Sequence, residues 1–317
     1  MFFGRNNPER GYSLSNPSIP KKGADRIRVG GQAVIEGVMM RSPNSMAIAV
    51  RKPNGKIVVK RERLDFFSEK KFFSKLPLIR GVMNLLSALI LGMKALNFSA
   101  NQSFEEEQEV SSWTMGLTFT IALSFGIFLF FLIPLFLTKW LRFVIPMVSS
   151  SGVIFNLVDG VIRLMIFLAY LWAISFFKEI RRIFEYHGAE HKSIFAFESG
   201  EVLIADRVKN FSYLHPRCGT SFLLIVMVVS ILVFALIPHH LSFGYKVASR
   251  VVFIPLIAGL AYEIIRFADQ KRERKGMQYF IKPGLWLQRM PAREPSEDQI
   301  EVALRALQEV LELEGRR

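Results

Sequence analysis

The sequence predicts an α-helical integral membrane protein with about four transmembrane helices, a small N-terminal β-hairpin unit, an interfacial helix and a C-terminal amphipathic helix. Half of the residues are hydrophobic, and they are clustered. Residues 110–138 carry no charge, and neither do residues 218–245 when histidine is counted as neutral. Each run is longer than the ~20 apolar residues that cross a bilayer core, and soluble proteins rarely contain two such runs.

Composition shifts divide the chain into five expected parts. Polar residues with many Gly, Pro, Asn and Ser predict a disordered tail at 1–26. The other parts are a β-containing cytoplasmic unit (27–75), an interfacial helix with an acidic linker (76–112), a transmembrane domain (113–267) and a cytoplasmic C-terminal segment (268–317). The transmembrane domain is predicted to have spans at about 113–137, 153–177, 222–240 and 247–267, and a cytoplasmic His-rich segment at 178–220.

Two short strands are predicted ahead of the membrane. Met46–Arg51 and Ile57–Lys60 flank Pro53-Asn54-Gly55, a strong hairpin turn. The next apolar stretch, 78–98, has only 13 uncharged residues between Arg80 and Lys94. Because that is fewer than a span needs, a helix at the membrane interface is predicted there.

The C-terminal segment shows the pattern of an amphipathic helix. Ser296 with Gln299 forms a capping-box pattern, and four apolar residues follow at helical spacing: Ile300, Leu304, Leu307 and Leu311. This helix is expected to pack on the cytoplasmic part. A partner-binding role for it is one alternative for the function of the protein.

The net charge of +14 indicates topology rather than nucleic-acid binding. No basic–aromatic nucleic-acid module is present, and most Lys and Arg residues lie in the long segments outside the predicted spans. The positive-inside rule therefore places both termini and the His-rich segment in the cytoplasm, with membrane lipid as a partner. The first 30 residues lack the apolar core of a signal peptide, so the first span is expected to direct insertion.

The most informative stretch is a His-x-x-Glu-His pattern at His187, Glu190 and His191. Two histidines one helical turn apart can hold one metal ion, and the carboxylate beside them can serve as ligand or base. His215 and Cys218 precede the third predicted span, at the membrane face where the second one ends. Two histidines with Cys218 or His215 would make a three-ligand zinc site, with Glu190 accepting a proton from an activated water.

Other interpretations of these residues remain open. The histidines could cap helices or meet lipid headgroups, and Cys218 could be a packing residue. A thiol nucleophile at Cys218, activated by a histidine, is a further alternative. Glu36, in the glycine-punctuated segment 30–41, is a candidate ligand or catalytic base, and the alternative is a surface carboxylate beside a turn.

Two pairs of charged residues within the predicted spans are candidate polar sites. Asp159 and Arg163 lie four residues apart in an apolar segment, which favours a structural ion pair over a polar pathway for substrate or ions. Glu263 and Arg266 lie near the cytoplasmic end of the last span, where they could support the histidine site from a second layer.

Several longer segments resemble the hallmark sequences of the bacterial YqhQ family, over residues 28–311. They are GGQAVIEGVMMR (30–41), YHGAEHK (186–192), HPRCGTSF (215–222), YEIIR (262–266) and REP (293–295). The family is of unknown function and is labelled a predicted metal-dependent enzyme. The resemblance implies metal ligands at His187, His191, His215 or Cys218 and supplies no substrate. Met290-Pro291-Ala292 departs from it, because threonines are expected before REP.

The sequence thus favours metal-assisted hydrolysis at the cytoplasmic membrane face, with zinc as the first candidate metal and a lipid-linked or membrane-protein substrate. The alternative function is a non-enzymatic transporter, or a scaffold whose metal or histidine site is structural.

Overall fold

The computed structural model describes residues 27–64, 76–103, 112–149, 151–237, 242–271 and 274–315. The predicted tail at 1–26 and most of the acidic linker lie outside these ranges. The strands are β1 Gly30–Val34, β2 Gly37–Arg41, β3 Ser45–Arg51 and β4 Ile57–Arg63. The helices are α1 Ile79–Ser103, α2 Ser112–Ile127, α3 Ile133–Val144, α4 Gly152–Ile174, α5 Lys178–Ser199, α6 Ala205–Val208, α7 Gly219–Ala235, α8 Phe243–Val252, α9 Ile254–Gln270, α10 Lys275–Gln288 and α11 Glu297–Leu313.

The N-terminal strands form one antiparallel sheet in the order β1-β2-β3-β4. The predicted hairpin is confirmed as β3–β4, in which Gly55 has φ 81° and Asn54 accepts a hydrogen bond from the Lys56 N–H. The glycine-punctuated segment before it forms the additional hairpin β1–β2, which turns at Glu36 with φ 51°. The predicted hairpin unit is therefore a four-stranded sheet.

Helices α5 and α11 cover one face of this sheet. The capping box of Ser296 and Gln299 is present at the start of α11, as predicted. Ile300, Leu304 and Leu307 of α11 are buried in a core shared with β2, β3 and α5. The helical apolar spacing thus determines which face of α11 meets the sheet, and the sheet, α5 and α11 together form the sheet unit of the molecule.

Helix α1 links the opposite face of the sheet to α9. Leu91 and Ala95 in its second half pack against the sheet residues Val34, Met39, Met46, Ile48 and Val50. In its first half, Arg80 pairs with Glu263 of α9, and Asn84 donates to the Tyr262 hydroxyl. The helix predicted at 78–98 is observed at Ile79–Ser103. It is long and apolar enough to cross a membrane, yet its second half packs against the sheet.

Three described helical segments are long and apolar enough to cross a membrane: Ile79–Ser103, Gly116–Val144 and Gly152–Ile174. The second includes a π-helical turn at Phe128–Leu132. Gly244–Val252 and Ile254–Gln270 make a fourth if the pair, bent by 42°, is one span. The predicted third span, 222–240, corresponds to the shorter apolar helix Gly219–Ala235.

The end of α11 is tied to the β2–β3 turn, and this contact depends on pH. The hydroxyls of Ser42 and Ser45 donate to the Glu314 carboxylate over 2.5 and 2.8 Å. The hydrogen bond from Ser42, with those from Ser45 and Asn44, holds the pKa of Glu314 below its ordinary value. Its stabilising contribution is therefore complete above the ordinary glutamate pKa and is lost as the pH falls through the lowered pKa.

We expect Glu314→Gln to lower the free energy of unfolding by at most about 1 kcal/mol at neutral pH, because the carboxylate is near the surface. The difference from the wild type should vanish in acid, as measured by thermal unfolding from pH 7 down to pH 3. Glu312→Gln is the matched control, since its contact with Arg61 is exposed and 3.5 Å long. An equal loss in both variants, or a difference that persists in acid, would contradict this role.

Candidate metal centre

Helix α5 brings the two histidines of the His-x-x-Glu-His pattern side by side. His187 and His191 lie one turn apart, and their ring centroids are 4.4 Å apart. The helix runs without a break from Lys178 to Ser199 and ends at Gly200 in the left-handed conformation. The site therefore stands on a regular element rather than on a loop.

Gly188 lets the segment 290–295 approach α5 very closely. A Cβ atom at this position would stand 1.8 Å from the Arg293 carbonyl oxygen. The Arg293 N–H also donates to the Phe184 carbonyl over 2.9 Å. This approach places the Pro291 carbonyl 2.6 Å from His187 Nδ1. A backbone oxygen thus orients this ring, and no hydroxyl at 290–292 is needed for that contact.

Both ring orientations imply the same tautomer. His191 Nδ1 lies 2.6 Å from the Tyr213 carbonyl oxygen, as His187 Nδ1 does from that of Pro291. Because a carbonyl oxygen only accepts hydrogen bonds, each Nδ1 is assigned the proton. In the neutral rings this leaves the Nε2 lone pairs available as ligands, which is how outer partners prepare histidines for a metal.

Cys218 supplies the third donor atom, from the start of α7. Its Sγ lies 3.2 Å from His187 Nε2 and 3.1 Å from the Thr220 hydroxyl. Burial opposes ionisation of the thiol, but the positive charge of His191 in its protonated form and the hydrogen bonds with Thr220 favour it, and they leave the Cys218 pKa below its ordinary value. A thiolate is the form that binds metals.

The donor set fits a tetrahedral zinc ion. Donor atoms of His187, His191 and Cys218 all lie within 4.8 Å of one another. Zinc bonds of about 2.0–2.3 Å imply separations of roughly 3.3 Å between two nitrogens and roughly 3.6 Å between nitrogen and sulfur, so no pair of donor atoms needs to approach by more than about 1.5 Å. His191 Nε2 is buried and meets no hydrogen-bond partner in the described part of the chain. Burial is the main cause that lowers the pKa of His191, and the charge of His187 lowers it further. The lowered pKa favours the neutral ring, which is the form that binds a metal.

Glu190 is the carboxylate held next to these donors. It is buried against Gly31 of β1, where a Cβ would stand 2.9 Å from the Glu190 Cγ and Cδ atoms. Burial raises the pKa of Glu190 to about 7. The charge of Cys218 also raises this pKa, whereas His187 and the hydrogen bond from the Gly31 N–H lower it. The sheet therefore contributes directly to the site, through a glycine that leaves room for the side chain.

His215 lies near the centre but is directed elsewhere. Its ring centroid is 5.8 Å from that of His191, and its Nε2 is 3.7 Å from a carboxylate oxygen of Glu198. The His215 backbone is held by Gln288, which accepts from its N–H and donates to its carbonyl oxygen. Between the two third ligands considered from the sequence, the geometry favours Cys218.

Glu36 does not reach the three donors. Its carboxylate receives two hydrogen bonds from Arg182 and one of 3.3 Å from the Tyr186 hydroxyl. These contacts join the β1–β2 turn to the first half of α5. The structure thus places Glu36 in an ion pair between the sheet and α5, outside the donor cluster.

Comparison with known proteins gives the family. Residues 76–313 match the family described as "Protein of unknown function (DUF1385)". The chain is also 32% identical to "Uncharacterized protein YqhQ" of Bacillus subtilis (strain 168), over 310 residues that cover 90% of this chain and 93% of that protein. The chain belongs to the YqhQ family. No solved structure matches it significantly.

Of the five segments that resemble the YqhQ family, 186–192 lies in α5 and three others contact this helix. In segment 30–41, Gly31 contacts Glu190, and Glu36 accepts hydrogen bonds from Arg182. Segment 215–222 supplies Cys218, and segment 293–295 packs on Gly188. The fourth, 262–266, lies apart, because its Glu263 pairs with Arg80 of α1. The second-layer role considered for Glu263 therefore has no contact to support it.

Sequence reasoning missed the groups that orient the histidines. The carbonyls of Pro291 and Tyr213 belong to the backbone, which leaves no signal in the residue types. Gln288, which is fully buried at the end of α10, was also missed, because its burial is visible only in the structure. Arg250 was also missed, although a charged residue within an apolar stretch marks a candidate functional position.

Proposed function

We propose that the chain is a multi-pass protein of the bacterial cytoplasmic membrane that carries a zinc centre with hydrolase-like chemistry at its cytoplasmic face. The metal ligands would be His187 Nε2, His191 Nε2 and Cys218 Sγ. The observation that carries this proposal is the gathering of these atoms within 4.8 Å, with both Nδ1 atoms engaged by carbonyl oxygens.

Each residue of the centre has a chemical role in this proposal. Two histidines and a thiolate leave one tetrahedral position open, which is typical of catalytic zinc. Zinc, when bound, supplies Lewis-acid activation of water. Glu190 is positioned by Gly31 to accept a proton at its carboxylate. The residues around the centre orient the imidazoles and limit the access of bulk water.

The placement of the centre suggests the substrate class. His187 and His191 lie in the middle of α5, which follows α4 and belongs to the sheet unit, and Cys218 lies directly before α7. The proposed ligands are therefore beyond the end of α4 and at the start of α7, on the side of these helices that leads into the sheet unit. The apolar helices support membrane insertion, and the distribution of Lys and Arg supports cytoplasmic termini. A lipid-linked or membrane-protein substrate fits this position.

A scaffold with a structural metal is the second candidate, and the burial of the proposed metal ligands favours it. His191 and Cys218 are 2% and 6% exposed, and the ligand residues join α5, α7 and the segment 290–295. A structural ion would lock these elements together without turnover. The transporter alternative is supported by the buried charges around Asp159.

The metal site is tested by the metal content of detergent-purified protein, measured by elemental mass spectrometry. We expect about one zinc ion per chain in the wild type and nearly none in His191→Ala or Cys218→Ser. His215→Ala is the matched control and should retain the metal, since its ring points to Glu198. Stoichiometric zinc in both ligand variants, each shown to be monodisperse, would rule out the proposed centre.

Glu190→Gln separates an enzyme from a scaffold. An enzyme should keep its zinc and its Tm in this variant, but lose about 100-fold or more in hydrolysis of a panel of lipid-linked and peptide substrates. A scaffold should hydrolyse no member of the panel in either form, and chelation should lower its Tm.

A further inference from the structure

A second cluster of charged residues lies buried among the apolar helices, toward the ends remote from the metal centre. Asp159 and Arg163 of α4 form the predicted ion pair, with 2.6 Å between Oδ2 and Nη2. Arg250 of α8 also reaches Asp159 Oδ2, at 2.9 Å. The side chains of all three are no more than 2% exposed. One carboxylate oxygen is therefore shared by two buried guanidinium groups.

The cluster has more positive than negative charge. Lys246 of α8 is 9% exposed, and its ammonium lies 4.4 Å from the centroid of the Phe155 ring. With Arg163 and Arg250 it places three formal cations beside Asp159. Segments 138–177 and 219–262 contain Asp159 as their sole acidic residue, together with five basic ones: Lys139, Arg142, Arg163, Lys246 and Arg250. The chain therefore has no second carboxylate in these segments to balance the cluster.

Aromatic faces and hydroxyl groups offset only part of this charge. The guanidinium carbons of Arg163 and Arg250 each lie 5.1 Å from the centroid of the Phe234 ring, and Arg163 Nη1 donates to the Ser230 hydroxyl. The Nε atoms of both arginines are nevertheless buried without a hydrogen-bond partner in the described structure. Guanidinium groups stay protonated, and unbalanced charge away from water is costly.

We propose that this cluster binds a small inorganic anion between Arg163, Arg250 and Lys246. The anion would supply the negative charge that the chain lacks there and accept hydrogen bonds from the unpartnered guanidinium N–H groups. The depth of the cluster favours a small ion over a lipid headgroup, because Arg163 lies three helical turns from the start of α4 and is 2% exposed. The site is separate from the metal centre and does not depend on its function.

Chloride is the probe that we would use first. Purified full-length protein would be melted in potassium gluconate and in mixtures with potassium chloride at constant ionic strength. We expect a saturable rise in Tm of about 5 °C and saturable binding of radiolabelled chloride, near one ion per chain. Inorganic phosphate forms a second series, and phosphatidylglycerol added to lipid-free micelles forms a third.

Arg250→Gln should lose most of the chloride-dependent rise in Tm, and Lys246→Gln should weaken it several-fold. The matched control is Arg207→Gln, an exposed arginine of α6, which should respond to chloride like the wild type. If Arg250→Gln does not fold, Lys246→Gln and the radiolabel measurement on the unmodified protein decide the question.

Three results would overturn the proposal. The first is an unchanged Tm in gluconate, chloride and phosphate together with no saturable binding of chloride. The second is a loss of the chloride response in Arg207→Gln that equals the loss in Arg250→Gln. The third is a rise in Tm with phosphatidylglycerol but with neither inorganic anion. The last result would assign the cluster to a lipid phosphate.

Discussion

Gly188→Ala is expected to lose the proposed zinc ion and to unfold at a much lower temperature. The added Cβ would stand 1.8 Å from the Arg293 carbonyl oxygen, which is a backbone atom that no rotamer change can move away. The segment 290–295 must then shift, and both the Arg293–Phe184 hydrogen bond and the contact of His187 with Pro291 are lost. We expect a loss of about 2–4 kcal/mol in the free energy of unfolding.

Gly276→Ala is the matched control for this effect. Gly276 lies in α10, and an added Cβ there meets no neighbouring atom of the described residues within 4 Å. Alanine is the better helix former by about 1 kcal/mol, so the control should be neutral or slightly stabilised. Thermal unfolding and zinc content of the two variants measure the difference. Zinc retained in Gly188→Ala with an unchanged Tm would show that the close approach to segment 290–295 is not required.

Asp159→Asn is expected to be the most destabilising of the substitutions considered. It removes the carboxylate that Arg163 and Arg250 share and leaves two buried guanidinium groups without a carboxylate partner. Removing one partner of a buried ion pair costs about 3–5 kcal/mol, because the remaining charge cannot reach water. We expect little monodisperse protein in the membrane fraction and a strongly lowered Tm in what can be purified.

Glu301→Gln provides the comparison at an exposed ion pair. Glu301 pairs with Arg51 at 2.6 Å, and its side chain is 60% exposed. Such pairs contribute about 0–1 kcal/mol, so this variant should resemble the wild type. Similar yields and Tm values for Asp159→Asn and Glu301→Gln would mean that water reaches the Asp159 cluster.

The sequence predicted features that depend on local spacing or on long apolar runs. The Pro53-Asn54-Gly55 turn, the capping box at Ser296 and the pairing of Asp159 with Arg163 all appear in the structure. Each involves residues at most four positions apart, so backbone geometry alone brings them together. The sequence did not predict strands β1 and β2, because their glycines weaken the strand pattern. In the structure the turn at Glu36 brings these two strands together as an antiparallel pair.

The sequence by itself determined that His187 and His191 share one face of a helix, since a separation of four residues fixes this in any α-helix. Only the tertiary structure brought Cys218 rather than His215 into the cluster with His187 and His191, and paired Glu36 with Arg182. It also showed that Arg250 joins Asp159 from a helix far along the chain. These outcomes depend on where a loop turns its side chains and on which helices pack together, and neither follows from the spacing of residues along the chain.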